Sequence, residues 1–369
     1  MKIIMATPYF YPRVGGLELY AQQMAAQLVA RGHEVHIVTS GKQRETVVLH
    51  GLTVHRLRAW TVISNTPVSP TWTRQIRRIV RDVRPDVMNV HAPVPSMALA
   101  AAAAAGRTPL VVTYHAGSMK KGRALVDSVI GLYEHFALPW MLAKAARIIC
   151  ASEFVRNDFL GLWEDKTITV TPGVDVERFV PSAAPAVRGR VAFVGDFRDP
   201  RKGIDVLRSA IKLLPGASLR IIGQGSPVPQ DNVSYAGVKR GQDLVAELQR
   251  AELLVLPSTT DAESFGMVLI EAMACGLPVI GSNVGGIKHV ISDGRDGLLV
   301  PPKDPQALAA AMAVILRDPA YGRQLGRNGR YKVARIMSWS RRGALTEAVL
   351  FEASEAGQAR LATAEVRHG

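Results

Sequence analysis

Twice along the chain, short runs rich in Val and Ile alternate with stretches whose apolar residues recur at helical spacing. KIIMAT, EVHIVTS, DVMNVH, PLVVTYH and ARIICAS read as strands in the first half, and RVAFVGD, SLRIIGQG, NVSYAGV, LLVLPS and PVIGS in the second. Between the first two strands lies LELYAQQMAAQLVARG, a helical run from Leu17 that ends at Gly32 as a C-cap would. Strands separated by helices pair in parallel, so the pattern predicts an α/β protein of two Rossmann-like, doubly wound units in tandem. Each unit is expected to bind ligand at the carboxyl ends of its strands. A length of 369 residues exceeds what one core supports and agrees with two domains. The seam is expected within residues 168–190, where Pro172, Gly173, Pro181 and Pro185 break regular structure. The expected division is 1–172, 173–345, and a C-terminal helical segment, 346–369, packing back on the first domain.

An excess of 45 Lys and Arg over 31 Asp and Glu gives a charge of +14, which favours anionic partners such as phosphates, acidic lipid surfaces or nucleic acid. The densest basic stretch is WTRQIRRIVRDVR, residues 72–84, with five arginines. Its Trp72, Ile76, Ile79, Val80 and Val83 fall on one helical face. Two readings are open: a helix lying on an anionic membrane, or a packed helix whose arginines reach into water. No apolar run is long enough to span a bilayer; ALAAAAAAG at 98–106 is too short. MKIIMATPYFYP lacks a signal peptide's apolar core and reads as a first strand. Cys150 and Cys275 are too few for a disulfide framework or a zinc cluster. They read as buried apolar residues in a reducing compartment, so the expected location is cytoplasmic, with peripheral attachment to the inner face of the plasma membrane as the membrane-bound variant.

Three segments are suited to carry chemistry. Gly15 and Gly16 follow the first strand and precede the first helix, where bare amides at a helix N-terminus meet a phosphate; a plain tight turn fits equally well. FVGDFRDPRKGIDVL, residues 193–207, carries Arg198, Arg201 and Lys202 beyond a strand, a set suited to a diphosphate; a solvated charged loop is the competing reading. ESFGMVLIEAMACGLPVI, residues 263–280, sets Glu263 and Glu271 at either end of an apolar run. Read as a helix from Ser264 to Cys275, it places Glu263 at the helix mouth. At ~1.5 Å rise and ~100° per residue the carboxylates are about 12 Å apart along the axis and about 80° apart in direction. A glycosidase-type pair needs roughly 5 to 9.5 Å, so the spacing favours a clamp on the two ends of an extended ligand with an anionic middle. The helix mouth would meet that middle, with Gly266 allowing close approach.

ESFGMVLIEAMACGLPVI, with FVGDFRDPRKGIDVL upstream and GGIKHVISDGRDGLLVPPKDP downstream, closely resembles the retaining glycosyltransferases of family 4. The resemblance runs from PYFYPRVGGLELYAQQMAAQLVARGHEVHIVTS to MSWSRR and is nearest to phosphatidylinositol mannosyltransferases and other lipid-directed members. It implies the GT-B fold, two Rossmann-like domains facing across a cleft. It implies transfer of a hexosyl group from a nucleoside diphosphate sugar, GDP-mannose or a UDP-hexose, to a lipid-linked or cell-envelope glycan, with retention at the anomeric carbon. Under it Glu263 grips the sugar's hydroxyls, Glu271 the ribose and Lys202 the diphosphate, with Arg198, Arg201, Ser264, Phe265, Gly266 and Met267 beside them. Gly223, Gly237 and Val238 lie at the nucleotide, Val238 presenting backbone to the base, and Gly16 lies by the phosphates. His115, in VVTYHAGSMK, faces the reacting centre, and Tyr9, Arg13, Gly15 and Lys120, in the basic run with Lys121 and Arg123, belong to the acceptor side. The chain has no D-x-D, so no metal and no other cofactor is expected. The expected partners are a nucleotide sugar, a lipid or glycan acceptor, and an anionic membrane surface reached through residues 72–84, with no nucleic acid.

Two departures from the resembled pattern are visible. Asp196 stands where those enzymes have Arg, leaving Arg198 or Arg201 to replace it, or Asp196 to turn away. GGIKH replaces the usual GGxPE, with Lys288 and His289 for Pro and Glu. A non-catalytic nucleotide-sugar-binding protein is therefore one rival. A dinucleotide-dependent oxidoreductase is another, of which IIGQGS at 221–226 carries a fragment of the glycine fingerprint.

Overall fold

The computed structural model describes residues 1–13, 15–119 and 124–366, with backbone alone at 124–126 and 358–366. The chain divides into two compact units, Met1–Thr171 with Trp339–Gly369, and Pro172–Ser338. The second boundary thus falls seven residues before the expected one, because position 346 lies inside a single helix, Trp339–Val366. That helix packs on the first unit: Val349, Leu350 and Ala353 are buried there with Ala21, Met24 and Leu28, and Arg31 pairs with Glu347 at 3.4 Å.

The first unit is built on an eight-stranded sheet. In spatial order its strands are Thr167–Thr169, Arg147–Cys150, Leu110–Tyr114, Val87–Ala92, Lys2–Ala6, Glu34–Gly41, Leu52–Arg58 and Glu45–Leu49. Every pairing is parallel except the last. Val87–Ala92 and Leu110–Tyr114 are buried at every position, which is why they read as mainly apolar runs, with Asn89, His91 and Thr113 as buried polar exceptions. The edge strand Glu45–Leu49, its neighbour Leu52–Arg58 and the small hairpin Thr61–Ile63 with Thr66–Val68 were not legible as strands, since they are only partly buried or exposed and lack the apolar density of the central strands.

The helix Trp72–Val83 decides between the two readings of the basic stretch. Trp72 and Ile76 are fully buried, and Ile79, Val80 and Val83 pack against the same core. Its apolar face is therefore engaged with the protein and is not available to a bilayer, while Arg74, Arg77, Arg78, Arg81 and Arg84 are all exposed. Among the described residues no helix is long and apolar enough to cross a membrane.

The second unit carries a six-stranded, all-parallel sheet in the order Val233–Gly237, Ser218–Ile222, Arg190–Val194, Leu253–Leu256, Val279–Ser282, Leu298–Val300. Two of its helices open on Asp-Pro: Asp304 accepts from the Ala307 amide before Pro305–Arg317, and Asp318 from Ala320 and Tyr321 before Pro319–Ile336. Cys150 and Cys275 are free and buried, one in each unit, and burial pushes both thiols up to about 12.

Candidate active site

In both units the residues singled out above follow the carboxyl ends of parallel strands. In the second unit the strand Arg190–Val194 runs into a turn at Pro200–Lys202, and the left-handed Gly203 (φ 71°) precedes the helix Ile204–Lys212. A Cβ at Gly203 would lie 1.9 Å from the Pro257 carbonyl oxygen. Only glycine lets the two loops meet there, and the Thr259 amide then donates to the Arg201 carbonyl at 2.8 Å. This contact brings Lys202 to Glu263, with Nζ 2.5 Å from Oε2 and both side chains largely buried.

The three expected cations are all paired. Arg198 makes two side-chain bonds to Asp196, at 2.6 and 2.9 Å, and hydrogen bonding from Arg198 holds the Asp196 carboxyl below its ordinary range. Arg201 is likewise paired with Asp199 at 2.6 Å, whose carboxyl is lowered by the same cause. Neither arginine is thus a free replacement for the one absent at position 196. Asp196 turns back onto Arg198, and the six charges Asp196, Arg198, Asp199, Arg201, Lys202 and Glu263 cancel. The two arginine pairs are half exposed, with side chains 57% and 47% accessible, so each contributes at most about 1 kcal/mol and exchanges at small cost for a stronger anion.

The segment after Glu263 differs from its expected form. The helix spans Met267–Ala274, and residues 264–266 precede it, Gly266 in the left-handed region at φ 83°. The 12 Å axial separation and 80° angle therefore do not apply, because only Glu271 of the two carboxylates is on the helix. Gly285 and Gly286 hold this loop: the Gly286 amide donates to the Glu263 carbonyl at 2.8 Å, and a Cβ on Gly286 would lie 1.9 Å from the Ser264 carbonyl oxygen. Asp261 accepts from the Gly285 amide at 2.7 Å, a support the sequence did not single out. Phe265 is buried beneath, Ser264 and Met267 are partly exposed, and Lys288 and His289 of the altered GGIKH are exposed. Glu271 has no hydrogen-bond or ionic partner among the described residues, and burial alone raises its carboxyl to about 7. Nearby, the Gly223 amide donates to the Gly237 carbonyl at 2.9 Å, and Val238 is exposed just beyond that strand.

In the first unit, Tyr9, Arg13 and Gly15 converge. The Arg13 guanidinium lies 3.4 Å from the Tyr9 ring centre, and both side chains donate to Asn65, at 2.6 and 3.1 Å. Arg13 also pairs at 3.3 Å with Glu18, whose carboxylate lies against Gly15 and would have to shift to admit a Cβ there. Gly16 starts the helix Gly16–Ala30 and has open space where a side chain would stand. Lys120 lies outside the described residues, as do Lys121 and Arg123.

His115 follows the strand Leu110–Tyr114. Its Nε2 is 2.9 Å from His91 Nδ1, and its ring meets Tyr20 edge-on at 4.7 Å. Burial lowers His115 to about 3 and His91 well below its ordinary value, so both are neutral near pH 7. His91 and Tyr20 went unnoticed in the sequence, where only the strand-end position in DVMNVH marks His91 and nothing marks Tyr20 within its helix. Among the described residues no three His, Cys, Asp or Glu side chains are placed to hold a metal ion.

Residues 14–178 match the model of Glycosyltransferase Family 4, and residues 188–318 that of Glycosyl transferases group 1. The chain is 29% identical over 345 residues to a phosphatidyl-myo-inositol mannosyltransferase of Mycobacterium leprae, covering 86% of this chain and 88% of that protein. Among solved structures it superposes on a sucrose-phosphate synthase of Thermosynechococcus elongatus with a TM-score of 0.77 and 24% identity, covering 98% and 99% of the two chains. On Alr3699/HepE of Anabaena, solved with UDP-glucose, the TM-score is 0.72 and the identity 19%, covering 95% and 100%. These likenesses overturn the oxidoreductase reading. The chain belongs to the glycosyltransferases that join a family 4 domain to a group 1 domain, and it has the GT-B fold.

Proposed function

We propose that this glycosyltransferase moves a hexosyl group from a nucleoside diphosphate sugar, GDP-mannose or a UDP-hexose, to a hydroxyl of a lipid-linked or cell-envelope glycan, with retention. The observation that carries the donor half is the Lys202–Glu263 pair beside a helix mouth, with Glu271 desolvated and unpartnered further along the same helix. On donor binding Lys202 exchanges Glu263 for the diphosphate, and Glu263 is freed to accept from sugar hydroxyls. The Met267 and Val268 amides that open the helix lack intrahelical acceptors and, with the helix dipole, face the same charge. Glu271 accepts from ribose hydroxyls, which gives its carboxylate the partners that the free protein withholds. The leaving diphosphate is stabilised by Lys202 and these dipoles, without a metal ion, and takes the acceptor's proton. His115 is too weak a base at about 3 to take that proton and orients a hydroxyl instead. The solved relative that holds UDP-glucose supports a donor of this class. Incubation with a panel of nucleoside diphosphate sugars, reading release of nucleoside diphosphate, tests the proposal. Glu263→Gln is expected to lose about a hundredfold in rate with an unchanged circular dichroism spectrum, and full activity in that variant would remove the sugar contact.

The lipid-linked acceptor is favoured by the name of the mannosyltransferase relative and by the surface of the first unit. Val129, Leu132, Phe136 and Trp140, spaced three and four apart, are 69%, 62%, 64% and 47% exposed. Burial first and the Arg77 charge second hold the Lys144 ammonium below its ordinary range, and its Nζ lies 5.8 Å from the Trp140 ring centre, so cations adjoin one end of this apolar stripe. Apolar residues rimmed by cations suit an anionic lipid surface, and the inner face of the plasma membrane is the proposed location. Flotation with anionic and neutral liposomes is expected to show binding to the anionic set, lost in Arg77→Glu; equal or absent binding to both would refute it. A soluble acceptor is the second reading, favoured by the superposition on a sucrose-phosphate synthase.

A further inference from the structure

We propose that Asn89 and His91 fix the ring tautomer of His115, so that His115 presents an unprotonated Nδ1 to a substrate hydroxyl. The hydroxyl rests on the glycosyl-transfer reading; the tautomer does not. Asn89 is buried, and its Nδ2 donates to Thr113 Oγ1 at 2.8 Å and to the Val111 carbonyl oxygen at 3.3 Å. A carbonyl oxygen only accepts, so the amide has one orientation and its Oδ1 faces His91 Nε2 at 3.0 Å. An amide oxygen also only accepts, so His91 carries its proton on Nε2. Burial keeps His91 neutral, which leaves a lone pair on His91 Nδ1, 2.9 Å from His115 Nε2. His115 Nε2 therefore donates, and its neutral ring has no proton left for Nδ1. The opposite tautomer would oppose two lone pairs across that gap and forfeit a buried hydrogen bond.

The ring plane is set independently of the tautomer. His91 stacks on His115 with ring centres 5.0 Å apart, Tyr20 closes one side edge-on, and the His115 amide donates to the Ala92 carbonyl at 3.0 Å. Asn89 and His91 are two apart on one strand and share a face, while Val111 and Thr113 are their register partners on the next strand. Two neighbouring central strands thus hold the relay, and a residue so placed presents an acceptor that aligns an incoming O–H. Asn89 and His91 are positioning residues in this scheme, acting only through His115.

The test is nitrogen-15 NMR of the full chain labelled at histidine, without ligand and near neutral pH, with the His115 signals assigned by their absence in His115→Gln. The expected result is Nδ1 unprotonated and Nε2 protonated. Asn89→Leu removes the anchoring acceptor and is expected to give a mixture of tautomers at His115. Thr113→Val disturbs the same buried shell yet leaves Asn89 anchored on the Val111 carbonyl, and it is expected to keep the wild-type signals. A wild-type His115 protonated at Nδ1, or an unchanged tautomer in Asn89→Leu, overturns the proposal whatever the activity. In a transfer assay Asn89→Leu is expected to lower kcat roughly tenfold with the donor KM within about twofold. A wild-type chain that transfers no sugar counts against the glycosyl-transfer reading, while the tautomer at His115 is still decided by the NMR signals alone.

Discussion

Glu271 is expected to lower the stability of the free protein at neutral pH, and Glu271→Gln to raise it. The carboxyl is held without a partner and burial lifts it from its ordinary 4.5 to about 7. A folded-state value above the unfolded one means that ionisation opposes folding. The penalty is absent below about pH 4.5, grows as the unfolded chain ionises while the folded one does not, and is complete above about pH 7. At 1.36 kcal/mol per pH unit the difference approaches about 3 kcal/mol, less whatever solvent recovers at the side chain's exposed edge. Gln has the same shape and no charge at any pH, so the gain over wild type isolates this group. For a unit of this size it corresponds to a rise in Tm of roughly 6 to 12 °C at pH 8 and almost none at pH 4. Thermal unfolding followed by circular dichroism across that range measures it. A gain independent of pH, or a variant less stable than wild type at pH 8, would refute the assignment of an unpaired buried carboxylate. Under the proposed ribose contact, added nucleoside diphosphate is expected to stabilise wild type more than the variant, because an amide oxygen accepts more weakly than a carboxylate.

Other expectations follow from the same geometry. Asp196→Ala releases Arg198 from its partner and is expected to tighten nucleoside diphosphate binding by roughly three- to tenfold in a thermal-shift titration, whereas Arg198→Ala changes it by less than about threefold. Lys202→Ala is expected to cost at least about a hundredfold in kcat/KM for the nucleotide sugar, since of the three cations in this loop it is Lys202 that pairs with Glu263. Gly203→Ala forces a Cβ into the Pro257 carbonyl oxygen at a left-handed φ and is expected to destabilise the second unit by more than about 2 kcal/mol in urea unfolding, with donor binding lost in parallel. Trp72→Ala empties a fully buried site and should cost about 3 to 5 kcal/mol in the first unit, a loss that a lipid-facing tryptophan would not show.

The central strands were legible because a parallel sheet covered on both faces buries every residue, so LVVTY and LLVL read as continuous apolar runs. The edge strand Glu45–Leu49 and its neighbour Leu52–Arg58 were not, because the mixed pattern of a partly buried strand is shared with polar loops until its partner is known. The helix after Glu263 was placed three residues early. Local propensity favours helix there, but Gly285 and Gly286 pull the backbone of 263–264 into a loop through contacts some twenty residues away.

The sequence by itself determined the two α/β units and marked Lys202, Glu263 and Glu271 as candidates, because period and position along the chain are local properties. Only the tertiary structure decided what state those groups occupy. Asp196 and Asp199 neutralise Arg198 and Arg201, the apolar side of residues 72–84 is used by the core, and His115 rests on a neutral His91 anchored by Asn89. Charge pairing, burial and tautomer depend on which groups meet in space and how much water reaches them, and a linear pattern carries neither quantity.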